Sequence, residues 1–270
     1  VEVLEKNTRF MEANPSSTTR AKLTEGREES RRLLAESLGA TPEEIVLVRN
    51  TSEANNFISS GLKLGVGDEV VVFGDNHPSN LNAWREKAKR FGFAIVEVPA
   101  TLPHPGTAFY VDAFSKALTP RTKVIAVTHV TNTIGDMLPV KELCAMARSR
   151  GVLSVVDGAQ TFGILNHSLS DMQPDFYTGS AHKWLCGPKE IGLLYVNAAV
   201  HDRISPSVVS LYAGAVGEYD PSSCTRSGST REGRSRTSWR STADPSGRKS
   251  GSRGRTILPP SSSRESETSG

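Results

Sequence analysis

Cysteine is scarce in this sequence: Cys144, Cys186 and Cys224 are the only three among 270 residues. Their spacing fits no metal-ligand pattern and their number is far below that of a disulfide scaffold. A cross-linked or zinc-stapled fold is therefore excluded, and no metal site is expected. Free thiols suit a reducing compartment, so a cytoplasmic location is the expectation. Long apolar runs are missing as well. No stretch approaches the roughly 20 residues that span a bilayer. Residues 1–10 are too charged and interrupted to form the apolar centre of a secretion signal, so no membrane partner is expected. Nor does charge of one sign dominate: 32 Lys and Arg stand against 29 Asp and Glu, a formal net charge of +3. Many of the arginines crowd into the C-terminal stretch, which leaves the remainder near neutral or acidic, and nucleic-acid binding is not implied.

What is present is a chain long enough to bury a substantial core. Residues 17–38 read as an amphipathic helix that starts near Ser17 or Thr18 and stops at Gly39. After it, short β-branched runs alternate with helical stretches. Strands are expected at Ile45–Val48, Glu69–Phe73, Ala94–Val98, Lys123–Val130, Val152–Val156, Phe176–Gly179 and Gly192–Val196. Helices are expected at Ser52–Leu62, Ser79–Arg90 and Val140–Arg150. Runs such as Val124-Ile125-Ala126-Val127 are almost continuously apolar, the mark of strands buried on both faces of a parallel sheet. The expected fold class is α/β, a three-layer αβα domain around an open, mostly parallel sheet.

In such sheets ligands sit beyond the carboxyl ends of the strands, and polar residues collect there in this chain. Thr51-Ser52 follows the strand at 45–48, His77 the strand at 69–73, and Asn132 the strand at 123–130. Asp157 follows the strand at 152–156, and Ser180 to Lys183 follow the strand at 176–179. From about Glu218 the character changes: Ser, Arg, Gly, Thr and Pro dominate and apolar residues nearly vanish. Such a segment cannot bury enough surface to offset its ordering entropy. Residues 1–217 are therefore read as the folded domain and 218–270 as a low-complexity, disordered tail. A shifted reading frame explains that tail more readily than a native extension does. Coding DNA with no hydrophobic continuation in any other frame would sink that explanation.

Each polar residue also has an ordinary reading. Asn50 to Asn55, at a strand-to-helix junction, makes a plain helix cap; its backbone N–H groups and the Thr51 and Ser52 hydroxyls also suit a phosphate. His77 before Pro78 suits a surface turn, or a residue that stacks on a planar ring and exchanges protons. Asn132 suits a turn cap or a donor to a phenolate oxygen, and Gln160 can reach the same ring edge. Ser180 and His182 flank Lys183 and offer phosphate or substrate contacts. Lys183 itself suits the surface, but the run Trp184-Leu185-Cys186-Gly187-Pro188 argues for a buried loop around it. The pair Asp157 and Lys183, 26 positions apart across one strand-loop-strand step, decides between the readings. A lysine amine forms a Schiff base with an aldehyde, and an aspartate at a strand end keeps a pyridine nitrogen protonated. Pyridoxal 5'-phosphate needs both.

Five segments then occur in order: Asn50-Thr51-Ser52-Glu53-Ala54-Asn55, Asp75-Asn76-His77-Pro78-Ser79-Asn80, Thr128-His129-Val130-Thr131-Asn132, Val156-Asp157-Gly158-Ala159-Gln160 and Ser180-Ala181-His182-Lys183. Over residues 15–216 the chain resembles the class V aminotransferase group of fold-type I pyridoxal-phosphate enzymes. It is most similar to the branch of cysteine desulfurases, selenocysteine lyases and isopenicillin-N-epimerase-like proteins. The resemblance implies that Lys183 is the internal aldimine lysine and general base, Asp157 the pyridinium partner and His77 the stacking residue. It places Asn132 and Gln160 at the phenolic oxygen, and Ser52, Ser180 and His182 at the phosphate.

It further implies a homodimer with shared phosphate contacts, to which Tyr212–Gly217 would contribute, and a small amino-acid substrate. C–S lyase or desulfurase-like chemistry is the expectation, with class V transamination or epimerisation as alternatives. The resemblance stops short at both ends. The family's smaller C-terminal domain supplies the substrate-carboxylate arginine and, in desulfurases, the sulfur-accepting cysteine. Nothing after Gly217 resembles it, and neither Cys186 nor Cys224 stands where that cysteine would. The extreme N-terminal segment is missing too, so an inactive cofactor-binding fragment is a further reading. A nucleotide-binding domain is disfavoured, because Gly61–Gly67 lacks a phosphate-loop pattern and lies at a helix end.

Overall fold

A computed structural model describes residues 1–208. The expectations for the 218–270 tail, for Tyr212–Gly217 and for Cys224 fall outside the described residues. Helix α1 spans Glu2–Ala13 and α2 Ser17–Leu38. Ser16 caps α2 by accepting the Thr19 N–H, and Gly39 ends it at a φ of 66°, a left-handed conformation that a Cβ resists. There follow β1 (Ile45–Val48), α3 (Thr51–Gly61), β2 (Glu69–Phe73), α4 (Pro78–Phe91) and β3 (Ala94–Val98). Next come α5 (Thr107–Ala117), β4 (Thr122–Thr128), α6 (Val140–Ser149) and β5 (Leu153–Asp157). The series closes with α7 (Leu169–Met172), β6 (Phe176–Ser180) and β7 (Gly192–Val196).

The strands form one sheet in the order β1-β7-β6-β5-β4-β2-β3. Neighbouring pairs from β6 to β3 are parallel, and β7 alone runs antiparallel to both its neighbours, β1 and β6. Every residue of β2, β5, β6 and β7 is buried, as near-continuous apolar runs require. Alternate side chains feed two cores. Val71, Phe73, Ile125, Val127, Val156 and Tyr177 gather with residues of α2, α5 and α6. Val70, Val72, Val124, Ala126, Val155 and Phe176 gather with Ala54 and Ile58 of α3 and Leu81 and Trp84 of α4. These are the three layers. Each fully buried Val, Ile, Leu or Phe contributes roughly 1.5–3 kcal/mol, far above any helix-propensity difference, so the sheet's two faces hold the domain together.

The structure adds three helices that the sequence reading lacks, α1, α5 and the single turn α7. α1 buries no residue: its apolar side chains Val3, Leu4 and Phe10 fall on one face but stand exposed among charged neighbours. α5 begins at Gly106 without a side-chain cap, and its aromatic and β-branched content is a weak helix signal. β4 stops at Thr128, short of Val130, because Val130 pairs with Met137 in an isolated antiparallel bridge. Among the described residues, no helix is long and apolar enough to cross a membrane.

Candidate active site

The strand ends named from the sequence converge on one cleft of about 490 Å³. All nine candidate residues line it: Thr51, Ser52, His77, Asn132, Asp157, Gln160, Ser180, His182 and Lys183.

At the start of α3, Asn50 caps the helix by accepting the Glu53 N–H at 2.9 Å. Thr51 and Ser52 thereby occupy the first turn, where N–H groups and the positive end of the helix dipole favour an anion. Thr51 is tied to the end of β6: its N–H donates to Ser180 Oγ at 3.1 Å, and the two hydroxyls are 2.7 Å apart. One N–H expected to be free for a phosphate is therefore committed to Ser180, which the helix–strand junction brings close. Next to Ser180, the Nδ1 of His182 is buried without a hydrogen-bond partner among the described residues.

Asp157, at the end of β5, is only 2% exposed. Its Oδ1 accepts the Ala159 N–H at 3.0 Å, and its Oδ2 accepts the side-chain amides of Asn55 at 2.9 Å and Asn80 at 3.1 Å. Thr178 Oγ1 donates in turn to Asn55 Oδ1 at 3.2 Å. Gly158, next in the chain, packs against Tyr177 so closely that an added Cβ would lie 2.0 Å from the Tyr177 hydroxyl oxygen. His77 is the N-cap of α4, and its Nδ1 accepts the Ser79 N–H at 3.2 Å. With that lone pair engaged, the neutral ring carries its proton on Nε2. Gln160 Oε1 accepts the Trp184 indole N–H at 2.9 Å. The indole can only donate, so the Gln160 carbonyl is taken and its NH₂ group remains for the cleft. Asn132 is exposed, in the turn between Thr131 and Gly135.

Lys183 is half-buried, but the loop after it does not cover it as the sequence suggested. Trp184 and Leu185 are 52% and 46% exposed. The reason is local: Gly187 N–H returns to Ala181 O at 2.8 Å, and Cys186 takes a φ of 56°, so the turn throws side chains 184–186 outward. Sequence reasoning gave no role to Asn55, Asn80 or Thr178. The available signal was spacing: Asn55 lies four residues after Thr51 and Asn80 three after His77, on the same helix faces. It also missed Lys189 and Glu190, which line the cleft. Glu190 makes an exposed ion pair with Arg49 at 3.1 Å, of a kind worth about 0–1 kcal/mol.

Residues 1–225 match the model of a known family, Aminotransferase class-V. This chain belongs to the class V aminotransferases. Members of that family use pyridoxal phosphate. The class V chain is 35% identical over 208 residues to isopenicillin N epimerase of Streptomyces clavuligerus, covering 75% of this chain and 51% of the relative. It is 32% identical over 196 residues to cysteine desulfurase of Salmonella newport, covering 70% of this chain and 47% of that one. The chain thus spans about half the length of the curated relatives it matches. Its fold is shared with the apo cysteine desulfurase of Thermococcus onnurineus NA1, at a TM-score of 0.70 and 26% identity. That match covers 85% of this chain and 60% of the other.

The cleft's donor set fits the family's cofactor. Hydroxyls of Thr51, Ser52 and Ser180 and the unpartnered His182 Nδ1 suit a phosphate, the Asp157 carboxylate a protonated ring nitrogen, and the Lys183 amine an aldehyde.

Proposed function

We propose that this chain carries the cofactor site of a pyridoxal-phosphate enzyme that acts on a small amino acid through Lys183, with C–S lyase or desulfurase-like chemistry. The observation that carries the proposal is that Lys183 and Asp157 line one cleft together with the hydroxyl-rich start of α3. When bound, the cofactor supplies an electron sink for negative charge developing at the substrate Cα. The residues do the rest. The Lys183 amine would hold the aldehyde covalently in the resting site and, once displaced by the substrate amine, would move the proton at Cα. Asp157 holds the proton on the ring nitrogen. Thr51, Ser52, Ser180 and His182 bind the phosphate, His77 stacks on the ring, and Asn132 and the free NH₂ of Gln160 donate to the phenolic oxygen. The working unit in this proposal is a homodimer.

The lyase assignment draws support from the cysteine desulfurase relative and the shared cysteine desulfurase fold. Epimerisation is the second reading, favoured by the 35% identity to an isopenicillin N epimerase. The first test is an absorbance spectrum of the purified chain with pyridoxal phosphate, run beside Lys183→Ala. A yellow band that borohydride bleaches and the variant lacks is expected; no band in the parent protein sinks the cofactor assignment. Sulfide or pyruvate released from cysteine supports the lyase branch. Exchange of the substrate Cα hydrogen with solvent deuterium, without elimination, supports the epimerase branch instead.

A further inference from the structure

We infer that Asn55 and Asn80 form an amide clamp that positions Asp157 for the cofactor's ring nitrogen. The inference rests on the cofactor reading above and assigns a task to residues outside the cleft lining.

The clamp is built from the two helices that also furnish the cleft. α3 presents Thr51 and Ser52 in its first turn and Asn55 one turn deeper; α4 is capped by His77 and carries Asn80 in the next turn. Asn55 and Asn80 are 1% and 0% exposed, and neither lines the cleft, so they reach a ligand only through Asp157. Both amides donate to the same oxygen, Oδ2, at 2.9 and 3.1 Å. The other oxygen, Oδ1, has one donor among the described residues, the Ala159 N–H at 3.0 Å. A carboxylate held by three N–H groups from three segments cannot swing about its Cβ–Cγ bond without breaking two of them.

The amide orientations support a purpose beyond filling space. An amide carbonyl against Asp157 would face an acceptor, so each NH₂ must point at Oδ2. For Asn55, Thr178 secures this by donating to the carbonyl at 3.2 Å. Thr178 sits on β6 directly opposite Asp157 in the strand pairing, which closes a ring of contacts across β5, β6 and α3. For Asn80 the carbonyl is buried without a partner among the described residues. A buried unpaired carbonyl is unfavourable, and the arrangement persists because the donor half of the amide is engaged by a charge. A volume-filling role alone would be met by Leu, at no such desolvation penalty.

The clamp also links sites. A shift of α3 moves the Thr51–Ser52 phosphate cradle and Asp157 together, and a shift of α4 moves His77 and Asp157 together. Phosphate grip, ring stacking and ring-nitrogen contact therefore act as one rigid body, the condition under which binding at one end orients the other.

The test compares Asn55→Ala, Asn80→Ala and Thr178→Val with the parent chain. For each, the dissociation constant is measured for pyridoxal phosphate and for its carbocyclic analogue, in which the ring nitrogen is a CH group. Each alanine variant is expected to weaken the natural cofactor about tenfold, the loss typical of one hydrogen bond to a charged group, and Thr178→Val somewhat less. The analogue offers no nitrogen to hold, and its affinity is expected to stay within about twofold. Equal weakening of both ligands would reduce the asparagines to fold support, and unchanged binding of both would remove the clamp altogether; either overturns the inference. Melting temperature identifies any alanine variant that fails to fold. Thr178→Val, close to isosteric, then carries the same two-ligand comparison. A parent chain that binds neither ligand refutes the cofactor reading itself, an outcome distinct from the other two.

Discussion

At Gly158 a single hydrogen atom is what the packing allows, because the Tyr177 ring lies where a methyl group would go. Gly158→Ala is expected to destabilise the domain by about 2–3 kcal/mol through overpacking, read as a lower urea midpoint. Gly158→Ala combined with Tyr177→Leu should recover part of that loss; no recovery would mean that the Tyr177 contact is not the cause. Legibility at this scale divides by chemistry. Lys183 and Asp157 stood out because a tether and a pyridinium partner demand those two residue types. Asn55 and Asn80 did not, because an asparagine inside a helix looks like any polar residue until burial and an acceptor are known. The exposure of Trp184 and Leu185 was hidden for a different reason. Apolar side chains suggest burial, whereas the turn closed by Gly187 and Ala181 turns them outward.

Among the elements, α3 shows how a cap serves a site. Asn50 accepts the Glu53 N–H and fixes where the first turn begins, so Thr51 and Ser52 face the cleft. Asn50→Ala is expected to cost about 1 kcal/mol in unfolding free energy, and Asn50→Asp, which keeps the acceptor, much less. Equal losses in the two variants would show that the cap contributes nothing. All seven strands were legible, six of them to within a residue or so, since each is a short β-branched or apolar run between turn residues. α1 was not, because its apolar residues are few and interspersed with charges, so the segment reads as charged and broken although they share one helix face. The direction of β7 was also hidden. A five-residue apolar strand reads the same forwards and backwards, and only its pairing with β1 and β6 settles its sense.

The stability of the molecule as a whole carries a histidine signature. The rings of His129 and His167 pack edge to face at 5.5 Å, and His167 lies 5.3 Å from Tyr177. Burial, reinforced by the neighbouring His167, lowers the His129 pKa from 6.5 to about 4, and burial lowers that of His167. The unfolded chain therefore takes up protons below pH 6.5 that the folded chain refuses. The stability tied to His129 is complete above that pH and is lost as pH falls toward about 4. The loss expected from His129 alone is about 2 kcal/mol, measured by urea unfolding at neutral pH and near pH 4.5. His129→Gln should flatten the profile, and an unchanged slope would dismiss the assignment. At this scale the three-layer order was readable, because burial on both faces leaves its mark in every central strand. The reversal of β7 has a consequence for the tempo of the chemistry. Two parallel neighbours need a crossover, usually through a helix, but the antiparallel β6 and β7 are joined by the loop 181–191 alone, pinned where Ala181 N–H meets Ile191 O at 2.8 Å. Lys183 thus lies two residues from one anchored end of this loop, within the turn that Gly187 N–H closes on Ala181 O. With Lys183 as the tether proposed above, this anchoring would raise the effective concentration of its amine at an aldehyde bound in the cleft.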